Sequence, residues 1–198
     1  MTGLVNPAPG NTPIDPDELE QLIPSLATKA ELDEWERANI LEAYEWALSG
    51  RVLRTADPFD EAFLRELHRR MFNRTWKWAG TYRLSEKNIG VPVHEIRNRI
   101  PALLANARYW AEHRVYSIDE IAIRFHHELV GAIHAFPNGN GRHARLHADV
   151  IARRLGGAEF NWGRTDIVGA GPVREAYIAA LHAADGGDIK PLLQFARS

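Results

Sequence analysis

The run His134-Ala135-Phe136-Pro137-Asn138-Gly139-Asn140-Gly141-Arg142-His143-Ala144-Arg145 constrains this chain more than any other segment. It separates two apolar stretches, Ile121 to Ile133 and Leu146 to Leu155, that read as helices. A glycine-rich turn that opens a helix leaves backbone N–H groups pointing out of the first turn, ready for an anion. Gly139 and Gly141 let that backbone curl around phosphate oxygens without Cβ clashes. Arg142 and Arg145, three apart on one helix face, add cationic forks suited to phosphate. His134 stands at the entry, where an imidazole can take a proton near neutral pH. Cradle, arginine pair and base together point to a nucleotide-using transferase chemistry.

Helical signals dominate the rest of the chain. Residues 1–16 carry Pro7, Pro9, Gly10, Pro13 and Pro16 and read as an irregular arm. Asp15-Pro16-Asp17-Glu18 suits a helix start. Thr28-Lys29-Ala30-Glu31 reads as a capping box for a helix reaching Leu48, with Leu32, Trp35, Ile40, Ala43 and Ala47 on its apolar stripe. Asp60 to Phe72 predicts another helix, and further helices are expected at about 95–113, 118–133, 141–155, 172–184 and 188–196. Ser117 with Glu120 reads as a second capping box, and Gly156-Gly157 and Gly186-Gly187 mark helix ends. Ser85 to Val93 lacks helical period, and Asn88-Ile89-Gly90-Val91-Pro92-Val93 alternates, which predicts a short hairpin or flap.

The loop at 134–145 resembles the signature of the Fic family, His-x-Phe-x-Asp/Glu-Gly-Asn-Gly-Arg-x-x-Arg. The match holds at His134, Phe136, Gly139, Asn140, Gly141, Arg142 and Arg145, and departs at Asn138, where the family carries an acid. Trp76-Lys77-Trp78-Ala79-Gly80-Thr81-Tyr82-Arg83 resembles the segment before the family's docking flap. The Pro-Asn-Gly-Asn-Gly-Arg-His-Ala-Arg variant is similar to a Fic subgroup called mobile mystery protein B. The resemblance spans about residues 55–196. It implies an all-α Fic-type helical domain at 55–198 with a small β-hairpin flap beside the active-site loop. Residues 1–54 would form an arm and helices packed on that core.

The resemblance also assigns roles. His134 would deprotonate a hydroxyl of a target protein as it attacks the α-phosphate of ATP, making the chain a protein adenylyltransferase. Gly139, Asn140, Gly141, Arg142 and Arg145 would bind the nucleotide, with Arg142 on the β/γ oxygens and Arg145 at the γ end. Position 138 would hold Mg²⁺, which prefers hard oxygen ligands, and an amide there supplies no charge. The flap residues Lys87, Asn88, Ile89 and Gly90 would dock the protein target by main-chain pairing. Glycine at 141 favours nucleotide-monophosphate transfer over a kinase-like relative with lysine there. Two alternatives stay open because of Asn138: a transferase with another phosphate-containing donor, or a non-catalytic nucleotide- or partner-binding module. The family's inhibitory Ser/Thr-x-x-x-Glu-Gly/Asn motif is absent, so inhibition would come from a partner chain or a nonstandard glutamate. Glu31, Glu34 and Glu36 are candidates, although a solvated charged face is the simpler expectation for them.

Other groups have plainer readings. His143 and His147 are four apart on a helix, but no compact third metal ligand accompanies them or His126 and His127, so packing is expected. Asp149 and Glu128 are read likewise as structural. Asn161-Trp162-Gly163-Arg164 could flank an adenine pocket or form a turn with a packed tryptophan. A net charge of −2 excludes generic nucleic-acid attraction and a polybasic membrane face, and the chain has no cysteine for a disulfide, thiol nucleophile or zinc finger. No stretch approaches bilayer-spanning length and no leader pattern opens the chain, which suggests a cytoplasmic protein.

Overall fold

The computed structural model describes residues 16–164 and 171–198; the proline-rich arm read at the start of the sequence therefore lies almost wholly outside the described residues. Helices α1 (Pro16–Leu19), α2 (Lys29–Ala47), α3 (Gly50–Thr55) and α4 (Glu61–Phe72) lead to α5 (Ile96–Glu112), α6 (Ile118–His127) and α7 (Asn140–Arg154). Helices α8 (Pro172–Asp185) and α9 (Lys190–Arg197) complete the described chain. Most boundaries follow from caps. Thr28 closes a full capping box, its hydroxyl accepting from Glu31 N while the Glu31 carboxylate takes the Thr28 amide. At Ser117 only half of the expected box forms: its hydroxyl accepts from Glu120 N, but the Glu120 carboxylate is drawn to Arg124 one turn on. The short helix α3, which the sequence reading missed, starts on the Ser49 hydroxyl and continues almost directly from α2.

Two apolar cores share one central helix. Ala144, Ala148, Ile151 and Ala152 of α7 face a core built with α5 and α6, including Ile100, Leu104, Ile123, Phe125 and Leu129. Leu146 and Val150, on the other side of α7, enter a second core with Leu32, Phe63, Leu67, Met71, Phe72 and Trp76. Ten of the fifteen α7 residues are buried, so its axis is clamped from both sides and its N-terminus is held in place. Helix α4 presents Phe63, Leu64, Leu67, His68, Met71 and Phe72 as one buried stripe against α2 and α7. On α2, Leu32, Ala43 and Ala47 are buried as the stripe predicted, but Trp35 remains 45% exposed. Its indole donates to Arg74 O at the rim.

The expected β-hairpin flap is not seen. Among the described residues the strand-like pairing is a single antiparallel bridge between Leu22 and Trp76, with Ile23 N donating to Thr75 O at 2.8 Å. The segment between Arg83 and Val93 is an irregular loop instead. Its two limbs are tied by a side chain rather than a ladder: the Arg83 guanidinium donates to Ser85 O on one limb and Val91 O on the other.

Candidate active site

His134 owes its position to a change of helical pitch. Helix α6 widens at its end into a π-helical turn, Glu128–Ile133, and His134 follows with φ 51° and ψ 60°. A left-handed conformation is costly for a residue with a Cβ, by about 1–3 kcal/mol, and must be held by its surroundings. His134 N donates to Leu129 O at 3.1 Å, and Arg83 Nε donates to His134 O at 2.7 Å. The ring Nδ1 lies 2.9 Å from Val130 O. A carbonyl only accepts, so Nδ1 carries the hydrogen and the basic lone pair falls on Nε2. Burial lowers the imidazole pKa to about 4, against the Val130 bond, with Arg83 and Lys87 adding to the lowering. The ring is therefore neutral at physiological pH, as a base must be before it acts.

The loop that follows is built around Phe136 and Asn140. Phe136 is fully buried. The Asn140 side chain grips the Phe136 peptide from both ends, accepting from its N–H at 2.9 Å and donating to its carbonyl at 2.8 Å. Sequence reasoning gave Asn140 to the phosphate; here its amide is committed to the loop. Gly139 has φ +75°, and a Cβ there would lie 2.3 Å from Cζ of Phe72, so only glycine fits. No side chain caps α7 at Gly139, which leaves the amides of its first turn to whatever anion arrives. Position 141 is roomier: a Cβ would meet Arg145 at 3.6 Å and Val130 at 3.8 Å.

Both arginines are braced by protein groups. The Arg142 guanidinium lies 5.0 Å from the Phe72 ring centre and donates to Glu36 at 2.5 Å. Arg145 stacks over Tyr177 of α8, 5.5 Å from its centroid. Glu36 corrects the expectation of a solvated face: it is 5% exposed and also accepts from Trp76 Nε1 at 2.7 Å. No sequence signal near Glu36 announces this, since its partners lie 40 and 106 residues away.

A family sequence model described as Fic/DOC matches residues 58–152, the stretch that holds this loop and the helices around it. This stretch of the chain is a Fic/DOC domain. No curated protein sequence matches it. Among solved structures, an N-terminal Fic domain of a Bep effector from Bartonella quintana is 18% identical, with a TM-score of 0.69 over 87% of this chain and 84% of that one. Bartonella tribocorum BepC with bound AMPPNP is also 18% identical, with a TM-score of 0.63 over 87% of each chain. Fic-1 from C. elegans is 23% identical at a TM-score of 0.65; 91% of this chain covers 51% of that one, about half its length. These likenesses show a shared fold.

In this Fic domain the loop between Arg83 and Val93 lies against His134. A Cβ on Gly90 would fall 2.5 Å from His134 Cβ and 2.6 Å from Ile133 O, so the tip of this loop packs directly on the Ile133–His134 segment. Lys87 does not face outward: its side chain is 2% exposed and its ammonium binds Glu18 of α1 at 2.7 Å. Asn88 and Ile89 are exposed beside it. Arg83 is the residue that sequence reasoning passed over. It is 1% exposed, and its fork reaches both flap limbs and the His134 carbonyl. It stands at the end of the Trp-Ala-Gly segment, where sequence gives no hint that an arginine is buried.

The remaining candidates are structural. His143 and His147 spend their Nε2 atoms on Leu64 O and Pro58 O, at 3.0 and 2.7 Å. Trp162 is packed at 8% exposure, its indole donating to Asp149. For magnesium, the described residues contain no group of three convergent His, Asp or Glu side chains. The Asn138 amide oxygen accepts from Gly139 N at 2.5 Å within its own loop. These residues do not make a preformed magnesium site.

Proposed function

We propose that this chain is a nucleotidyltransferase that moves AMP from ATP to a hydroxyl group of another protein. The observation that carries this reading is the His134 ring. It is buried, neutral and oriented by Val130, with the hydrogen on Nδ1, in the loop that leads into an uncapped helix carrying Arg142 and Arg145. In the reaction, Nε2 takes the proton of the attacking hydroxyl. The hydroxyl oxygen bonds to the α-phosphorus, and the bond to the β-phosphate bridging oxygen breaks to release pyrophosphate. The open N-terminal amides of α7 and the arginines stabilise the charge that develops on the phosphate oxygens. The nucleotide bound to the Bartonella tribocorum relative supports ATP as the donor. Any magnesium would arrive with the phosphates, which supply the oxygen ligands that Asn138 alone does not. The loop from Lys87 to Gly90, packed on His134, is where we place the protein target.

In the resting chain Glu36 occupies the Arg142 fork. A triphosphate must displace that carboxylate, so Glu36 serves as an internal competitor, and a separate inhibitory chain is not required. Calorimetry tests the binding half of the proposal. ATP should bind the wild-type chain, Arg142→Ala should weaken ATP by at least about tenfold through loss of a charge-assisted fork, and adenosine should respond little. Equal losses for ATP and adenosine would assign Arg142 to the fold instead.

A further inference from the structure

Beneath the loop lies a histidine that the proposed chemistry does not use. His68, on the buried stripe of α4, is completely inaccessible to solvent. Its Nδ1 accepts from Gly80 N at 3.0 Å, and its Nε2 lies 3.1 Å from Asn138 O. A backbone amide can only donate and a carbonyl can only accept, so the ring's tautomer is fixed with the hydrogen on Nε2. The ring also stacks on Phe136, centroids 3.7 Å apart and planes 12° from parallel. One side chain thus joins three pieces: the segment leading to the flap, the aromatic anchor of the loop, and the carbonyl preceding Gly139.

Its neighbours on the same face of α4 reinforce the arrangement. One turn earlier, Leu64 O accepts from His143 Nε2 of α7. One turn later, the Phe72 ring fills the space that a Cβ on Gly139 would need and supports Arg142. We propose that His68 is the positioning residue of the anion loop, fixing the Asn138–Gly139 peptide so that the first-turn amides of α7 converge on phosphate. Its action on catalysis rests on the nucleotide-transfer reading above; its action on the loop does not. Because the ring is neutral and buried, with its pKa lowered by burial to about 3, its Nε2–H donor persists across the working pH range.

Two near-isosteric substitutions separate the two bonds. In His68→Gln the side-chain amide nitrogen takes the place of Nε2 and keeps the bond to Asn138. In His68→Asn the shorter amide keeps the bond to Gly80 and loses Asn138. Both are compared with wild type by amide hydrogen exchange at Phe136 and His143, whose N–H groups are bonded within the loop. ATP affinity is measured alongside by calorimetry. The expected result is wild-type protection in the glutamine variant, with exchange at least about tenfold faster and ATP at least about tenfold weaker in the asparagine variant. Equal exchange in the two variants would overturn the positioning role, whatever happens to ATP. If wild type binds no ATP, the nucleotide reading falls while the exchange comparison still decides the role of His68. If both variants fail to fold, nitrogen-15 NMR of the wild-type ring decides: hydrogen on Nε2 supports the assignment, and hydrogen on Nδ1 overturns it.

Discussion

The proposed chemistry depends on the state of single side chains, and His134 states it most sharply. Its ring is held between a left-handed backbone and the Val130 carbonyl, so both orientation and tautomer are set before any substrate arrives. Nitrogen-15 NMR at pH 6 should find the ring uncharged with its hydrogen on Nδ1. A charged ring at that pH would remove the burial argument. Gly139 is equally exacting. With φ +75° and the Phe72 ring in the way of any Cβ, Gly139→Ala should cost about 2–4 kcal/mol in denaturant unfolding, from combined backbone strain and overpacking. Shortening the obstructing ring in a Gly139→Ala/Phe72→Leu double variant should return part of that loss relative to the sum of the single changes, the signature of coupled neighbours.

Among the elements, what the sequence made legible was local. The capping box at Thr28 and the buried stripe of α4 put α2 and α4 where they are observed, because caps and period are written in adjacent residues. The match at His134, Phe136 and Gly139 to Arg145 located the loop between α6 and α7 for the same reason. The flap was misread because alternation alone cannot reveal that Arg83 would occupy the carbonyls of Ser85 and Val91. Glu36 was misread because its burial depends on Trp76 and Arg142, brought close only when α2 packs on α4. That helix is also a regulator in this account. Glu36→Gln keeps an acceptor for Trp76 but removes the charge facing Arg142, so ATP should bind on the order of tenfold tighter, ~1.4 kcal/mol. Calorimetry showing unchanged ATP affinity would mean that Glu36 is a packing contact without competitive effect.

For the whole molecule, the buried imidazoles set an acid limit. Burial lowers His134 and His147 to about 4 and His68 to about 3, and puts His126 and His143 well below their ordinary value. Each stays neutral in the fold but gains a proton on unfolding below pH 6.5, so the unfolded chain binds more protons and stability falls as pH drops from 6.5 toward 4. Asp149 works the other way: burial raises it to about 7, so the fold holds that proton between 3.8 and 7. Five histidines outweigh one aspartate, and unfolding free energy should rise steeply between pH 4 and 6.5 and level off above. A flat profile across that window would contradict the neutral, buried histidines.

The central claim is that His134 and the loop from Asn138 to Arg145 transfer the nucleotide's α-phosphoryl group. The most direct measurement incubates the chain with ATP labelled at the α- or the γ-phosphate, in the presence of protein from a cell lysate, and follows label that stays on protein after denaturation. The account predicts stable labelling from α-labelled ATP, none from γ-labelled ATP, and a fall of roughly 10²–10⁴-fold in His134→Ala, as loss of a general base gives. Labelling from the γ-position, or α-labelling that His134→Ala leaves intact, would contradict it.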